Sequence, residues 1–219
     1  MAINKNIIAQ LPLFMGLSNN ELNEIAQKVS FTQHHHKKGA AITRAGNRCA
    51  SLITVANGTM EAETVADDNS YLLTENLHAV YMIEPDKVFG LEQRYRSTYR
   101  ALTSCDTVEI SKDSLLELIG KYLIMRINYL NIICRNTQMH EHNPWKAHPT
   151  DTKQAIVAFI KNRVKHPAGS KSLHIKMTDL ADELSASRGA VSQALNTLAE
   201  QERIILRRGI IEIPALQLL

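Results

Sequence analysis

The segment MTDLADELSASRGAVSQALNTLAEQERI, residues 177–204, has the pattern of two short helices joined by a tight turn. Apolar residues recur at helical spacing in both halves; they are Leu180, Ala181 and Leu184, followed by Val191, Leu195 and Leu198. Hydroxyl side chains are favoured helix N-caps, so Thr178 and Ser187 are expected to cap the two helices. Ser185 and Ala186 interrupt the period between them. The segment therefore predicts a helix-turn-helix motif.

The outward face of the second helix, residues 187–199, is polar. It carries Ser187, Arg188, Gly189, Ser192, Gln193 and Asn196. Arginine, glutamine and asparagine side chains form paired hydrogen bonds with base edges in the major groove of DNA. An ordinary helical hairpin, the alternative interpretation, would mix Glu and Lys on this face, but no acidic residue occurs there before Glu200. We therefore predict that these residues contact DNA, together with Thr178 at the start of the first helix.

The stretch that follows, ERIILRRGIIEI at 202–213, predicts a β-hairpin, because two apolar runs flank Arg207, Arg208 and Gly209. A hairpin behind a helix-turn-helix forms a wing, and arginines at its tip are suited to phosphate contacts. The charge distribution agrees with this. The ten basic and seven acidic residues from Asp151 onward account for the whole net charge of +3. Such an excess favours a polyanionic partner for the last third of the chain.

The first half of the chain predicts one short helix and then a compact antiparallel β unit over residues 30–111. Ser18 is a suitable N-cap for a helix in SNNELNEIAQKV, residues 18–29. Short β-type runs follow, and Asn57-Gly58 between two of them is a strong hairpin signal. The histidine run at 34–36 is expected on an exposed turn, as solvated side chains rather than metal ligands.

Residues 113–141 predict one continuous, long helix. The positions of a single seam recur three and four apart; they are Leu116, Ile119, Leu123, Ile127, Leu130, Cys134 and Thr137. The seam either packs on the core of its own chain or pairs with the same helix of a second copy. The spacing leaves both open; the family resemblance given below implies the second, with Leu116, Leu123, Ile127, Leu130 and Cys134 in the dimer helix. The proline-containing stretch that follows, HEHNPWKAHPT at 140–150, predicts a hinge.

No catalytic residue and no metal ligand are expected from the motifs and the composition of the sequence. The sequence has no GxSxG, HExxH or P-loop motif, so an enzyme is not expected. Cys49, Cys105 and Cys134 lack the spacing of a metal site and are expected to be buried free thiols. No apolar run reaches the roughly 18 residues that span a bilayer. Because the N-terminus also lacks signal-peptide features, a cytoplasmic location is expected.

The chain resembles the CRP/FNR family of bacterial transcription regulators over nearly its whole length. The resemblance is carried by LPLFMGLSNNEL (11–22), Gly46, Gly58, RALTSCDTVEIS (100–111) and, most specifically, the winged helix-turn-helix. It implies an α+β fold with an N-terminal antiparallel β-roll, or double-stranded β-helix, as a cyclic-nucleotide-binding-like sensor domain. A long dimerisation helix, a hinge and a C-terminal winged helix-turn-helix domain would follow. The corresponding ranges are 1–112, 113–141, 142–150 and 151–219.

The resemblance also implies roles within the recognition helix. Arg188 falls where many members use an arginine on guanine, and Gln193 falls where they use a second base-reading residue. Gly189 stands where the best-known member has a glutamate that reads cytosine, so the operator is expected to differ from that member's. Ser185 replaces a turn glycine and is expected to adopt a left-handed conformation, at a cost of about 1–2 kcal/mol.

The stretch VFGLEQRYRSTYRALTSC, residues 88–105, corresponds to the phosphate-binding cassette of nucleotide-binding members. There a Gly-Glu pair contacts the ribose, and an Arg-Ser or Arg-Thr pair contacts the cyclic phosphate. Here Leu91 follows the glycine, and the loop is too short for the helix whose N–H groups receive the phosphate. The candidate ligand residues are Gly90, Glu92, Arg94, Arg96, Ser97 and Arg100. A cyclic nucleotide is therefore disfavoured, whereas another ligand, or no cofactor at all, is compatible with the sequence.

The resemblance implies a homodimer that binds a near-palindromic operator in double-stranded DNA. RNA polymerase is implied as a further partner, and no membrane contact is expected. The alternative is a small-ligand or cyclic-nucleotide sensor whose C-terminal domain mainly contacts protein.

Overall fold

The structure, a computed structural model, describes residues 3–141 and 149–219. Most of the predicted hinge, residues 142–148, lies outside the described residues. The α+β fold class with antiparallel sheets is confirmed. The described chain forms two compact units: residues 3–60 with 78–141, and residues 61–77 with 149–219. These N-terminal and C-terminal units do not correspond to a single cut in the sequence.

The N-terminal unit begins with two helices, and one of them was visible in the sequence pattern. The helices are α1 (Lys5–Ile8) and α2 (Asn19–Lys28). Ser18 caps α2 as predicted, and its hydroxyl accepts a hydrogen bond from the Glu21 N–H while the Glu21 carboxylate accepts one from the Ser18 N–H. This reciprocal capping box satisfies two N–H groups that the helix geometry leaves without partners. Leu22, Ile25 and Ala26 then lie buried on the inner face.

Short antiparallel strands follow. They are β1 (Phe31–His36), β2 (Ala41–Thr43), β3 (Ser51–Asn57), β4 (Thr59–Val65), β5 (Tyr71–His78), β6 (Tyr81–Ile83), β7 (Thr98–Ala101) and β8 (Cys105–Ser111). One sheet of the N-terminal unit has the order β1-β8-β3-β6, and β2 pairs with β7. Leu52 and Val55 of β3 are almost fully buried, and so are the alternating residues Val108 and Ile110 of β8.

The predicted hairpin at Asn57-Gly58 is wrong, although strands do flank it. β3 pairs with β6 and β8, whereas β4 belongs to a different sheet. Gly58 is the corner between them, with φ at +98°. A Cβ atom there would collide with the carbonyl oxygen of Ser104 and lie 2.7 Å from the sulfur of Cys105. Glycine is therefore required by the close approach of β8 and by the left-handed backbone, not by a two-residue hairpin turn.

The histidine run is also placed differently from the prediction. Residues 34–36 lie in β1, which pairs with β8 in register from Phe31 opposite Ile110. His35 contacts Asp106 through Nδ1 at 2.7 Å and Ser104 through Nε2 at 3.0 Å. The hydrogen bond with His35 lowers the pKa of Asp106. β1 is thus held by polar contacts across the sheet. It lacks the alternating apolar side chains by which a strand is predicted from sequence.

The predicted single helix over 113–141 is wrong, because the chain forms two helices, α3 (Lys112–Lys121) and α4 (Leu123–Glu141). Tyr122 separates them with an extended backbone, φ −105° and ψ 109°. Its hydroxyl donates to Glu24 Oε2 at 2.9 Å, and the residue is buried. Hydrogen bonds from Lys121, Lys28 and Tyr122 lower the pKa of Glu24 to about 2.

The end of α3 is satisfied by a side chain from α4. The Arg126 guanidinium donates to the carbonyl oxygens of Ile119 and Gly120, each at 2.8 Å. Unpaired carbonyls at a helix C-terminus interact favourably with a cation. Arg126 therefore stabilises the break between α3 and α4. Among residues 123–138 of α4, the buried side chains are Met125 and Tyr129.

The C-terminal unit combines three helices with a small sheet. Its elements are α5 (Thr152–Lys161), β9 (Lys171–Ile175), α6 (Met177–Glu183), α7 (Arg188–Glu200), β10 (Ile205–Arg207) and β11 (Ile210–Ile213). The apolar residues Ile156, Phe159 and Ile160 recur at helical spacing on one face of α5 and are buried in the core of this unit. The predicted hairpin at the chain end is confirmed as β10 and β11.

The sheet of the C-terminal unit has the order β10-β11-β9-β5, with β4 beside β5. Residues 61–77 comprise most of the hairpin β4–β5. They complete a sheet whose other strands come from the last third of the chain. β5 pairs with β9 from Tyr71 opposite Ile175 to Glu75 opposite Lys171. Leu73 enters the core of the C-terminal unit. No pattern in residues 61–77 indicated this pairing.

A buried ion pair fixes the register of β5 on β9. The Glu75 carboxylate lies 3.2 Å from Lys171 Nζ, and the two side chains are 1% and 0% exposed. Glu75 also accepts hydrogen bonds from the N–H groups of Lys165 and His166, and Lys171 donates to the Ala168 carbonyl at 2.9 Å. A shift of one residue would separate the two charges in an apolar setting, so the pair excludes alternative registers.

Replacing one partner of this pair is expected to destabilise the C-terminal unit strongly. Lys171→Met should lower the free energy of unfolding by about 3–5 kcal/mol, because the Glu75 charge stays buried without its cation. Urea unfolding followed by circular dichroism measures the loss. Lys176→Met, at an exposed lysine, is the matched control and should change stability by less than about 0.5 kcal/mol. A loss below about 1 kcal/mol for Lys171→Met would contradict the structural role of the pair.

Candidate nucleic-acid interface

Helices α6 and α7 are joined by a tight turn, as predicted. Leu180 and Ala181 of α6 and Val191 of α7 are buried together in the core of the C-terminal unit. The turn closes with a hydrogen bond from the Ala186 N–H to the Ala181 carbonyl at 3.0 Å. Ser185 adopts the expected left-handed conformation, with φ at +48°. The small Ala181 side chain lets the helices approach closely, which is the packing this motif requires.

The two helices begin differently. Ser187 caps α7 as predicted, because its hydroxyl accepts a hydrogen bond from the Ala190 N–H at 3.1 Å. The predicted cap at Thr178 is wrong: the N-cap is Lys176, two residues earlier, and it makes no side-chain cap hydrogen bond. The Thr178 hydroxyl instead donates to the Asp179 carboxylate at 2.9 Å. Thr178 is exposed, so its predicted DNA contact does not depend on capping.

The face of α7 opposite the core carries the predicted base-reading residues. Arg188, Gly189, Gln193 and Asn196 are exposed, and Ser192 is half-buried. Within the described residues, the side chains of Arg188, Gln193 and Asn196 have no hydrogen-bond or ion-pair partner. Since Val191, Ala194, Leu195 and Leu198 on the other face are buried, the helix cannot rotate without exposing apolar surface. The polar face is therefore held outward.

The wing presents two arginines that differ in their surroundings. Arg207 ends β10 and forms an ion pair with Glu212 of β11, with 2.7 Å between Nε and Oε1. Arg208 lies in the turn beside Gly209, is exposed, and has no ion-pair partner among the residues that the structure describes. Arg208 is thus the freer of the two positive charges, whereas the charge of Arg207 is partly neutralised by Glu212.

Sequence reasoning missed Arg163, which ties the first helix of the motif to the sheet. The guanidinium lies 3.6 Å from the centroid of the Phe159 ring, and Nε donates to the Tyr71 hydroxyl at 2.8 Å. Nη2 also contacts the Glu183 carboxylate at 3.0 Å, at the last residue of α6. A lone arginine at the end of an amphipathic helix gave no signal for this role, because its partners lie far away in sequence.

Helices α3 and α4 expose the predicted seam. Leu116, Leu123, Ile127 and Leu130 are 47–63% exposed, which is unusual for large aliphatic side chains so close together. Cys49 and Cys105 are buried as predicted, but Cys134 is exposed, so that expectation is wrong for it. Cys134 lies on the same helix as the seam, where its own chain does not cover it.

Solved structures with the same arrangement exist. The Thermus thermophilus catabolite activator protein is 18% identical and superposes with a TM-score of 0.51, covering 94% of this chain and 95% of that chain. A protein from Eubacterium rectale described as a CRP/FNR-family transcriptional regulator is 19% identical, with a TM-score of 0.50 and 95% coverage of both chains. No family model matches the chain, and neither does any curated protein.

The chain has the CRP/FNR fold. The resemblance found in the sequence is therefore confirmed at the level of architecture. Among the described helices, none combines the length and the apolarity needed to cross a bilayer. The described His, Cys, Asp and Glu side chains form no group of three that could hold a metal ion.

In this CRP/FNR fold, the candidate ligand residues differ in exposure and in hydrogen-bond partners. Gly90, Glu92, Arg94 and Arg96 are exposed, Arg100 is half-buried and Ser97 is fully buried. Arg94 donates to the Gly46 carbonyl at 2.7 Å. The main-chain N–H groups of Arg96 and Ser97 donate to the carboxylate of Glu84, a buried residue that the sequence analysis did not single out.

Proposed function

We propose that this protein is a sequence-specific DNA-binding transcription regulator of the CRP/FNR type. It would act as a homodimer on a near-palindromic operator, without cyclic AMP. The observation that carries the proposal is the outward face of α7, where Arg188, Gln193 and Asn196 are exposed and unpaired within the described chain. Folding gains nothing evident from three such side chains on one face, whereas a major groove supplies hydrogen-bond partners for all three.

Each structural part has a distinct task in the proposed complex. The recognition helix α7 reads base edges through Arg188, Gln193 and Asn196. Its N-cap Ser187, Ser192 on the same helix and Thr178 of α6 are further polar contacts. The wing arginines bind phosphates, which position the protein without reading sequence. Two copies of α7 would enter successive major grooves about one helical turn apart, so the operator would have twofold symmetry. Gly189 offers no side chain, which leaves one base pair without direct readout from that position.

The exposed seam on α3 and α4 supports the homodimer. A second copy of the same seam would bury Leu116, Leu123, Ile127 and Leu130, and each buried leucine or isoleucine contributes about 1.5–3 kcal/mol. The break at Tyr122 divides the seam into two segments rather than one continuous coiled coil. A regulator of this kind would work in the cytoplasm and would have RNA polymerase as a further partner; no enzymatic reaction is part of the proposal.

Selection of bound fragments from random DNA tests the proposal directly. The wild type is expected to enrich two inverted half-sites with centres about 10–10.5 base pairs apart, to the same extent with and without cyclic AMP. Arg188→Ala should lose about 1–3 kcal/mol of binding free energy and relax the preference at one base pair per half-site. Arg48→Ala, which removes an exposed arginine of the N-terminal unit, is the matched control. Tight nucleotide binding with unselective DNA binding would instead favour the sensor alternative.

The wing arginines are expected to change the salt dependence and not the sequence preference. Replacing both Arg207 and Arg208 by alanine should reduce the slope of log K against log salt by up to about 1.8 per half-site, since each phosphate contact contributes about 0.9. Of the two single variants, Arg208→Ala should reduce the slope more than Arg207→Ala, because Glu212 already neutralises Arg207. Glu212→Gln should raise the slope. Equal slopes for the wild type and the double variant would refute the wing assignment.

A charge on the seam is expected to separate the protomers. Leu130→Asp should weaken the dimer at least about 100-fold, because the symmetric contact loses two buried leucines and gains two carboxylates. Analytical ultracentrifugation measures the change, and operator binding should fall with it. Asn131→Asp adds the same charge at the neighbouring exposed position and should leave a dimer. A monomeric wild type would contradict the assignment of this seam.

A further inference from the structure

Glu84 is the unusual residue of the N-terminal unit. It is a carboxylate that is only 6% exposed, although it lies outside the regular strands and beside a proline. Its backbone is left-handed, with φ at +38° and ψ at 59°. Few non-glycine residues adopt this conformation, and one that does so costs about 1–3 kcal/mol, so surrounding contacts must hold it there.

Those contacts form an anion-binding nest. The Arg96 N–H donates to Glu84 Oε2 at 2.6 Å, and the Ser97 N–H donates to Oε1 at 3.1 Å. The Tyr99 hydroxyl also donates to Oε1, at 3.1 Å, from a side chain that is fully buried. Successive main-chain N–H groups that converge on one point are a recurrent way of binding anions. In this chain the bound anion is a side chain of the protein itself.

The nest is connected to the helix that carries the dimer seam. Pro85 follows Glu84, and its carbonyl accepts a hydrogen bond from the Tyr129 hydroxyl of α4 at 2.9 Å. Burial raises the pKa of Tyr129 above its ordinary value. The Tyr129 ring also meets Phe89 edge-on, with centroids 6.0 Å apart. Leu130 of the seam is the next residue along the helix.

We propose that Glu84 is a tethered anionic ligand. Its carboxylate fills the nest made by Arg96, Ser97 and Tyr99 and thereby holds the 84–89 segment under Tyr129 of α4 in one conformation. The site then takes no external small anion, and the segment under the seam is ordered without an effector. The occupancy of the nest is independent of the proposed function; only its consequence for a DNA-binding dimer rests on that function.

Removing the side chain is expected to create a site for a small carboxylate. Glu84→Gly is the suitable variant, because glycine accepts the left-handed backbone without strain. Its thermal midpoint should fall by roughly 2–12 °C as three charge-assisted hydrogen bonds are lost. Added sodium acetate should then raise the midpoint in a saturable manner, since a ligand that binds only the folded state stabilises it. Sodium chloride at equal ionic strength is the reference for each point.

The wild type and Glu92→Gly, which removes an exposed carboxylate from the same region, are the matched controls. Neither should show a saturable rise with acetate, and the wild type should show no heat of binding with cyclic AMP. A rise of equal size in the controls, no rise in Glu84→Gly, or binding of cyclic AMP by the wild type would each overturn the proposal. A wild type that binds no DNA while acetate rescues Glu84→Gly would refute the proposed function and leave the tethered ligand intact.

A second measurement covers the case in which Glu84→Gly does not fold. Amide protons that donate to a carboxylate resonate downfield, so the Arg96 and Ser97 amide signals should shift upfield in Glu84→Gln, whose neutral amide is a weaker acceptor. The Glu92→Gln spectrum is the control and should leave both signals in place. Unchanged Arg96 and Ser97 signals in Glu84→Gln would overturn the proposal.

Discussion

The burial of one face of α7 is the constraint on which the rest of the structure depends. Val191, Leu195 and Leu198 are locked into the core of the C-terminal unit, and this fixes the rotation of the helix about its axis. Positions 188, 193 and 196 then have to face outward, because they lie on the opposite side of a 3.6-residue period. Hydrophobic packing thus determines the candidate interface, because the buried apolar residues decide where the polar ones are presented. The cap at Ser187 and the left-handed Ser185 set where the helix begins.

Features that depend on neighbouring residues were predictable from the sequence. The capped helix after Ser18, the inner face of α5, the turn at Ser185 and the hairpin around Gly209 each follow from periodicity, caps or turn chemistry within a few residues. The exposure of Gln193 and Asn196 followed from the same local reasoning. Strand pairing did not, because residues on both sides of Asn57-Gly58 are β-type but join different sheets. Only the contact of Gly58 with β8 distinguishes this corner from a hairpin, and that contact is distant in sequence.

Side chains that arrive from elsewhere in the chain account for the remaining differences. The pattern of residues 113–141 is continuous, yet a hydrogen bond between Tyr122 and Glu24, 98 positions apart, accompanies the interruption. The cassette region shows the same limit. Its shortened loop indicated that a nucleotide was disfavoured, but the carboxylate that occupies its N–H groups comes from Glu84, 12 and 13 positions earlier. A sequence pattern gives the candidates for a site and not the group that fills it.

The hairpin β4–β5 has a consequence for how such proteins diversify. Residues 61–77 lie early in the chain but complete the sheet of the last third, and Glu75 neutralises a lysine that would otherwise be buried alone. A gene fusion that transplanted only residues 149–219 would leave β9 with an open edge and an uncompensated charge. An exchange of the C-terminal unit between proteins would therefore have to transfer both residues 61–77 and residues 149–219, or replace Lys171 by an uncharged residue. Residues 61–77 and the last third of the chain are therefore expected to change together in evolution.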